Sequence, residues 1–291
     1  MGFMIIIPTY PLARCISHYM VTSLAKGQTT YLPATYTPTL VICRRGSVVA
    51  NTTKEALPSA YIEGPTLFSR YSYANAETEI ISVHFKPAML ESIVFVPTPE
   101  FSNYCIPLVD LGNPQLTLLK EQVISASCIS EAVELLERQL KSLLFFGLDK
   151  LPKKAQPFHV NGEMIYKPTK ELASASGISV RQFERRFMAS YGVTVRDWRR
   201  LNRAAKAVMT LVTMQHNNLS IASIANNANY FDHAHMCRDF REFCGVSPQE
   251  FSHRIKDDPA YWPLRELRKL LRLNVASVQE KNSSDVGPFY S

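Results

Sequence analysis

Short runs of alternating apolar and polar residues fill the part of the chain between about residues 30 and 110. Runs of this kind, rich in Val, Ile, Thr, Tyr and Phe and interrupted by Pro and Gly, are typical of half-buried strands joined by turns. The predicted strands are 31–36, 39–43, 47–51, 59–62 and 79–85. Because these strands are short and closely spaced, the pattern predicts a small β-sandwich or barrel.

The apolar spacing becomes helical between Pro114 and Phe146. Leu116, Leu119 and Val123 predict one helix, and a longer apolar stripe predicts a second. That stripe comprises Ala132, Leu135, Leu136, Leu140, Leu143 and Leu144. The second helix needs an apolar partner, which is either the strands before it or a second copy of the chain. Residues 1–150 are therefore assigned to one β-rich domain that also contains helices.

One pattern of residues occurs twice in the second half of the chain, 53 positions apart. The first copy is Ile178, Ser179, Phe183, Arg185, Phe187 and Gly192, and the second is Phe231, Asp232, Met236, Arg238, Phe240 and Gly245. In each copy the apolar residues recur at helical spacing, and a short helix and a turn precede them in the sequence. This is the pattern of a helix-turn-helix unit, and two units predict two contacts on one DNA duplex.

The first unit has the residues that fix the start of its second helix. A helix over 168–176 is predicted to end before Gly177, which can take the positive φ of a tight turn. Ser179 is predicted to cap the next helix in a capping box with the glutamine three residues later. Ile178 is expected to pack on Phe183 as a hydrophobic staple.

The second unit repeats these features with different residues. Ser220 is predicted to cap its first helix, and Asn229 takes the place of the turn glycine, since Asn also tolerates a left-handed backbone. Asp232 is predicted to cap the second helix, and Phe231 to staple onto Met236.

The outward stripes of the two second helices carry the candidate DNA-binding residues. They are Arg181, Glu184 and Arg185 in the first unit, with Met188 beside them, and His233, Ala234, Cys237 and Arg238 in the second. Arginine can pair with guanine and Glu184 with cytosine in a major groove. A linking helix over 194–214 would span ~30 Å, close to the ~34 Å turn of B-DNA, so both stripes would reach successive major grooves.

The distribution of charge supports a nucleic-acid partner for the second half only. The chain has a formal net charge of +7. Residues 163–256 contain 14 basic and 8 acidic residues, whereas 1–150 contain 11 and 12. An excess confined to one domain is typical of a protein that binds the phosphate backbone. The basic, turn-rich segment 151–162 is predicted to be a linker, and 257–291 a short amphipathic helix, over 263–273, with a flexible tail.

Other functional classes find less support in the sequence. Six irregularly spaced cysteines predict neither a disulfide framework nor a zinc knuckle. No apolar run is long enough for a bilayer and the N-terminal run is broken by Pro8, so a cytoplasmic protein without a membrane partner is expected. No catalytic motif occurs, so no enzyme and no cofactor are predicted. His84 is interpreted as a lone strand histidine. His233 and Cys237 have metal-capable spacing, but no metal site is predicted.

The segment 163–256 resembles the DNA-binding domain of the AraC/XylS family of bacterial transcription regulators. The resemblance rests on L-A-x-x-x-G-x-S-x-x-x-F-x-R-x-F from Leu172, on S-I-x-x-I-A from Ser220 and on R-x-F-x-x-x-x-G-V-S-P from Arg238. The chain departs from the family at Asn229, where glycine is usual. A weaker similarity of 57–64 and 83–87 to the family's β-rich sensory or dimerising domain implies an α+β chain with an all-α C-terminal domain.

The resemblance implies a cytoplasmic, sequence-specific transcription factor with double-stranded DNA as its partner. Further candidate partners are RNA polymerase, a small-molecule effector on the N-terminal domain and a second copy of the chain. The alternative is a small-molecule-binding or structural co-regulator whose helix-turn-helix domain no longer binds DNA specifically. Retention of arginine at 185 and at 238 favours DNA binding.

Overall fold

The chain forms two compact units, Met1–Asn202 and Arg203–Ser291. The structure is a computed structural model, and it describes residues 2–94, 96–150, 158, 160, 164–213 and 220–271. The division falls within a helix. The domain boundaries at 150 and 162 stay a prediction, and most of the predicted linker 151–162 lies outside the described residues. The predicted flexible tail beyond 271 lies outside them as well.

Two antiparallel sheets make up the N-terminal part. In chain order the strands are β1 (Gly2–Ile6), β2 (Ile16–Leu24), β3 (Thr29–Leu32), β4 (Thr39–Arg45), β5 (Val48–Ala50), β6 (Ala60–Glu63), β7 (Arg70–Ala74), β8 (Thr78–Phe85) and β9 (Cys105–Pro107). The spatial order is β1-β2-β8-β4-β6-β9 in one sheet and β3-β7-β5 in the other. The predicted β-rich N-terminal fold is confirmed. Four strands were not predicted: β1, β2, β7 and β9.

The larger sheet has one face in the hydrophobic core and a second face that carries both polar and apolar side chains. Along β8, Ile81, Val83 and Phe85 are fully buried in the core, because every second side chain of a strand points the same way. Ser82 and His84 lie on the other face. Strand β2 pairs with β8 along nearly its whole length, so His18 lies directly opposite His84.

Helices cover the core face of that sheet. They are α1 (Glu91–Val94), α2 (Pro114–Ser125) and α3 (Ile129–Lys150), and a 3-10 turn, Thr98–Phe101, follows α1. Leu116, Leu119 and Val123 of α2 and the apolar stripe of α3 belong to one core cluster with the strands. The predicted helices are confirmed, and of the two predicted partners for α3 it is the strands that receive its apolar stripe.

Arg44 ties the end of α2 to the sheet. Its side chain is buried, Nε donates to the Val123 carbonyl at 2.9 Å, and another guanidinium nitrogen donates to the Ala126 carbonyl. The same guanidinium pairs with Glu79 of β8. The last carbonyls of a helix have no partner within the helix, so this arginine of β4 satisfies α2 from a distant part of the sequence.

The second half of the chain is helical. Its helices are α4 (Thr169–Ala175), α5 (Val180–Tyr191), α6 (Val195–Thr213), α7 (Ile221–Asn227), α8 (His233–Cys244), α9 (Pro248–Asp257) and a last helix, α10, over 262–271. The predicted helices are found within one or two residues at the ends the structure describes. In the described ranges no helix has an apolar stretch sufficient to cross a bilayer.

Candidate DNA-binding surface

The start of α5 has the predicted capping geometry. Gly177 has φ +65°, which favours glycine, and the next amide, that of Ile178, donates to the Ala173 carbonyl at 3.1 Å. The Ser179 hydroxyl accepts from the Gln182 amide at 3.3 Å, and the Gln182 side chain accepts from the Ser179 amide at 3.0 Å. The capping box therefore fixes where α5 begins and which way it points.

Helix α5 is amphipathic, with an aromatic back and a polar front. Phe183 and Phe187 are fully buried, and their rings lie in a cluster with Tyr191 and Trp198. The predicted DNA-binding residues Arg181, Glu184 and Arg185 are all exposed, and Met188 is half-buried. The structure therefore brings these three residues onto one solvent-facing stripe.

The second unit has the same order of caps and turn. The Ser220 hydroxyl accepts from the Ser223 amide at 3.2 Å at the start of α7, and Asn229 has φ +61°. An Asp232 carboxylate oxygen accepts from the His235 amide at 2.7 Å at the start of α8. Among the predicted contact residues of α8, Cys237 is half-buried and the others are exposed, namely His233, Ala234 and Arg238.

The predicted staple between Phe231 and Met236 is wrong. Phe231 is 93% exposed, and Tyr230 is the residue that packs inward. The Tyr230 amide donates to the Ala225 carbonyl at 2.9 Å, as the Ile178 amide does to Ala173, so Tyr230 is the structural equivalent of Ile178.

The second turn is therefore one residue longer than the first. The first helices of the two units match at a spacing of 52, as Ala173 and Ala225 show, and the second helices at 53. Phe231 is the additional residue. This change of spacing is visible in the sequence, and it would have predicted the insertion.

A polar cluster lies on the buried face of α8. Asp239 is 1% exposed, and one of its carboxylate oxygens lies 4.0 Å from Arg203 and 3.9 Å from His235. The Arg203 guanidinium carbon lies 5.2 Å from the Tyr230 ring centroid, a cation–π distance. Burial and the Asp239 carboxylate raise the pKa of Tyr230. Sequence reasoning missed this cluster, although an aspartate three residues after Met236 stands in the buried stripe of α8.

The C-terminal end of α5 contacts the β-rich part of the compact unit Met1–Asn202, to which both belong. The Ser102 hydroxyl donates to the Gly192 carbonyl at 2.9 Å, and the Thr98 hydroxyl to the Ser190 carbonyl at 3.3 Å. Gly192 has φ +72°, and a Cβ placed on it would lie 2.2 Å from the Ser102 hydroxyl oxygen. Sequence reasoning missed this contact, because the partners are about 90 residues apart.

His84 is paired rather than alone, which corrects the sequence interpretation. Its ring stacks on that of His18 with centroids 4.3 Å apart. The Ser82 hydroxyl lies 3.0 Å from one ring nitrogen and the Thr39 hydroxyl 3.4 Å from the other. Burial, and then the neighbouring His18, lowers the pKa of His84 to about 3. Among the described residues, no group of three or more His, Cys, Asp or Glu side chains is placed to hold a metal ion.

Comparison with known proteins decides the identity of the second half. Residues 172–254 match a family model described as a helix-turn-helix domain, and the matched segment contains both repeats. The segment is a helix-turn-helix domain. Its two repeats are similar to the AraC type. Asn229, at the position where that resemblance predicts glycine, adopts the left-handed backbone that this turn requires.

A curated transcription regulator is similar to part of the chain. The chain is 29% identical over 82 residues to the HTH-type transcriptional regulator RipA of Corynebacterium glutamicum, a match covering 28% of this chain and 24% of RipA. The chain therefore matches about a quarter of that relative's length.

Structures of ToxT from Vibrio cholerae align over most of the chain at low similarity. One is 12% identical, covers 81% of this chain and 97% of ToxT, and has a TM-score of 0.40. Another, with bound unsaturated fatty acid, is also 12% identical, covers 80% and 94%, and has a TM-score of 0.39. At this level of similarity neither a ligand nor an activity transfers from ToxT to this chain.

Proposed function

We propose that the chain is a sequence-specific DNA-binding transcription regulator whose helices α5 and α8 read two successive major grooves of one duplex. The observation that carries the proposal is the pair of exposed polar stripes on two helices with buried apolar backs and capped starts. A recognition helix must present side chains to base edges without rotating, and local capping supplies that constraint.

The stripe of α5 has the chemistry of direct base reading. Arg181 and Arg185 can each donate two hydrogen bonds to guanine O6 and N7, and Glu184 can accept from the amino group of cytosine. All three side chains are exposed and therefore free to enter a groove. The neighbouring Phe183 and Phe187 keep this orientation because their burial leaves only one face of the helix toward solvent.

The stripe of α8 offers a different set of contacts. Arg238 supplies the same guanine-reading group as Arg185, and Ala234 can pack on the methyl group of thymine. His233 and Cys237 complete the stripe. The two helices would therefore recognise different base sequences, so the operator should contain two unlike half-sites.

The length of α6 supports contacts in successive grooves. The helix has 19 residues and is about 28 Å long, compared with about 34 Å for one turn of B-DNA. Two half-sites about one helical turn apart are part of the proposal.

The remaining partners and properties are also proposals. A regulator of this kind would act in the cytoplasm, without catalytic activity, and would contact RNA polymerase. The face of the larger sheet that carries His18, Thr39, Ser82 and His84 is where a small-molecule effector would bind. A homodimer would need a surface other than the apolar stripe of α3, which the strands already cover.

Binding selection on randomised duplexes tests the function. Arg185→Ala and Arg238→Ala should each weaken binding by about 1–3 kcal/mol and relax the preference at different operator positions, about one helical turn apart. Arg138→Ala is the matched control, because Arg138 is an exposed arginine of α3. It should keep both affinity and sequence preference.

A stability measurement separates reading from folding. Phe183→Ala and Phe240→Ala should lower the melting temperature, because losing a buried aromatic ring costs roughly 3–5 kcal/mol, whereas the arginine variants should melt like the parent. If both arginine variants keep the parent's sequence preference, these helices do not read bases. Full-length protein without any sequence preference would instead favour the co-regulator alternative.

A further inference from the structure

Phe231 contributes an exposed aromatic ring where the fold does not require one. It is 93% exposed, more than the other large apolar side chains that lie at the surface of the described part of the chain. Isolated apolar residues are common on protein surfaces and need no explanation by themselves. Phe231, however, is also the residue by which the turn of the second unit exceeds that of the first.

The turn closes without the Phe231 side chain. Tyr230 makes the inward contact, with its amide bonded to the Ala225 carbonyl and its ring against Arg203. In the first unit Ser179 follows Ile178 directly, and that turn closes with the same pattern of backbone hydrogen bonds. The additional residue therefore adds exposed surface and no buried contact.

The position of Phe231 is at the end of the unit that meets bases. It immediately precedes Asp232, the N-cap of α8, and the exposed His233 and Ala234 follow in the first turn of that helix. In helix-turn-helix proteins the N-terminal residues of the recognition helix are the ones that contact base edges in the major groove. An aromatic ring at this place lies beside the proposed contacts of the second unit.

We propose that Phe231 is a specificity-determining residue of the second unit, and that its ring packs on the C5-methyl group of a thymine in the major groove. The inference rests on the proposed function. The thymine methyl is the apolar group that base edges present in this groove, and phenylalanine is among the side chains that contact it. Burying one methyl against the ring should raise affinity about 3- to 10-fold. The methyl contact would add thymine recognition to a stripe in which Arg238 reads guanine.

Removing the two sides of the contact separately tests the proposal. Full-length parent and Phe231→Ala are titrated with the operator obtained by selection, and with duplexes in which each thymine in turn is replaced by deoxyuridine, which lacks the methyl. At one position the replacement should weaken the parent about 3- to 10-fold and leave Phe231→Ala unaffected. Phe231→Ala should bind the unmodified operator more weakly by the same factor.

Controls distinguish a lost contact from a misfolded protein. Phe231→Ala should melt at the parent's temperature, because the side chain is exposed. Tyr104→Ala removes an aromatic ring that is 70% exposed in the N-terminal part, and should keep the parent's affinity and its sensitivity to deoxyuridine.

Several outcomes would overturn the proposal. They are unchanged affinity of Phe231→Ala for the operator, an equal deoxyuridine effect in parent and variant at every thymine, and lost transcription with unchanged DNA binding, which would assign the ring to a protein partner. If Arg185→Ala and Arg238→Ala alter the sequence preference in the same assay, only the Phe231 inference fails. If they do not, the proposed function fails with it.

Discussion

Replacing Gly192 by alanine would introduce two separate costs at the end of α5. The backbone has φ +72°, and an alanine held in the left-handed region costs about 1–2 kcal/mol. The new Cβ would also lie 2.2 Å from the Ser102 hydroxyl oxygen and 2.8 Å from a methyl carbon of Thr98. Overpacking of this kind costs about 1–3 kcal/mol. Gly192→Ala should therefore destabilise the compact unit Met1–Asn202 by roughly 2–5 kcal/mol.

Gly177 provides the matched control. It has φ +65°, but a Cβ placed on it has no atom within 4 Å. Gly177→Ala should cost only the backbone part, about 1–2 kcal/mol. In a unit of about 200 residues, 1 kcal/mol shifts the melting temperature by about 2–4 °C. Thermal unfolding should therefore show Gly192→Ala melting roughly 2–12 °C below Gly177→Ala.

A second substitution identifies the source of the difference. Ser102→Gly alone removes a hydrogen bond to the Gly192 carbonyl and should cost about 1 kcal/mol. In the Gly192→Ala background it also removes the nearest clashing atom, so the two changes together should cost less than their sum. Equal melting temperatures for the two glycine variants, or strict additivity with Ser102→Gly, would refute the contact between α5 and the 98–102 segment.

Three further predictions concern the rest of the chain. Asp239→Ala should lower the free energy of unfolding by roughly 3 kcal/mol, because it leaves Arg203 without its buried carboxylate partner; strict additivity with Arg203→Ala in urea unfolding would argue against the pairing. The pKa of His84 is lowered to about 3 in the folded protein, whereas in the unfolded chain this histidine binds a proton near pH 6.5. The free energy of unfolding should therefore fall as the pH drops below about 6.5. His84→Asn should make the free energy of unfolding less dependent on pH, although His18, whose pKa is also lowered, keeps part of the dependence. An unchanged pH dependence in this variant would contradict the role of His84. The association constant for operator DNA should fall steeply with salt, since several phosphates are neutralised, and a salt-independent constant would contradict the proposed interface.

The features that sequence reasoning predicted correctly are those fixed by neighbours in the chain. Ser179, Asp232 and Ser220 cap helices through bonds to residues only three positions away, so their roles can be read from spacing alone. Asn229 takes a left-handed turn because its own side chain tolerates one. The helix faces follow in the same way, because apolar periodicity depends on a few consecutive turns.

The features that were missed depend on residues distant in sequence or on a small change of register. The Ser102 contact with Gly192 joins positions about 90 residues apart, and no local pattern marks it. Strand β1 follows from pairing with β2, whereas its short apolar run before Pro8 carries little strand signal by itself. The staple at Phe231 was wrong because one repeat spacing was applied across a turn in which the spacing changes by one residue.

The hydrogen bonds from Thr98 and Ser102 to the end of α5 bear on how the DNA-binding domain can be exchanged between related proteins. A chimera joined within the predicted linker 151–162 would carry the carbonyls of Ser190 and Gly192 into a foreign protein without their donors. Helices α8 and α9 take no part in these two hydrogen bonds and lie in the other compact unit, Arg203–Ser291. A graft that keeps both repeats functional therefore has to bring the 98–102 segment, or an equivalent pair of hydroxyl groups, along with α5.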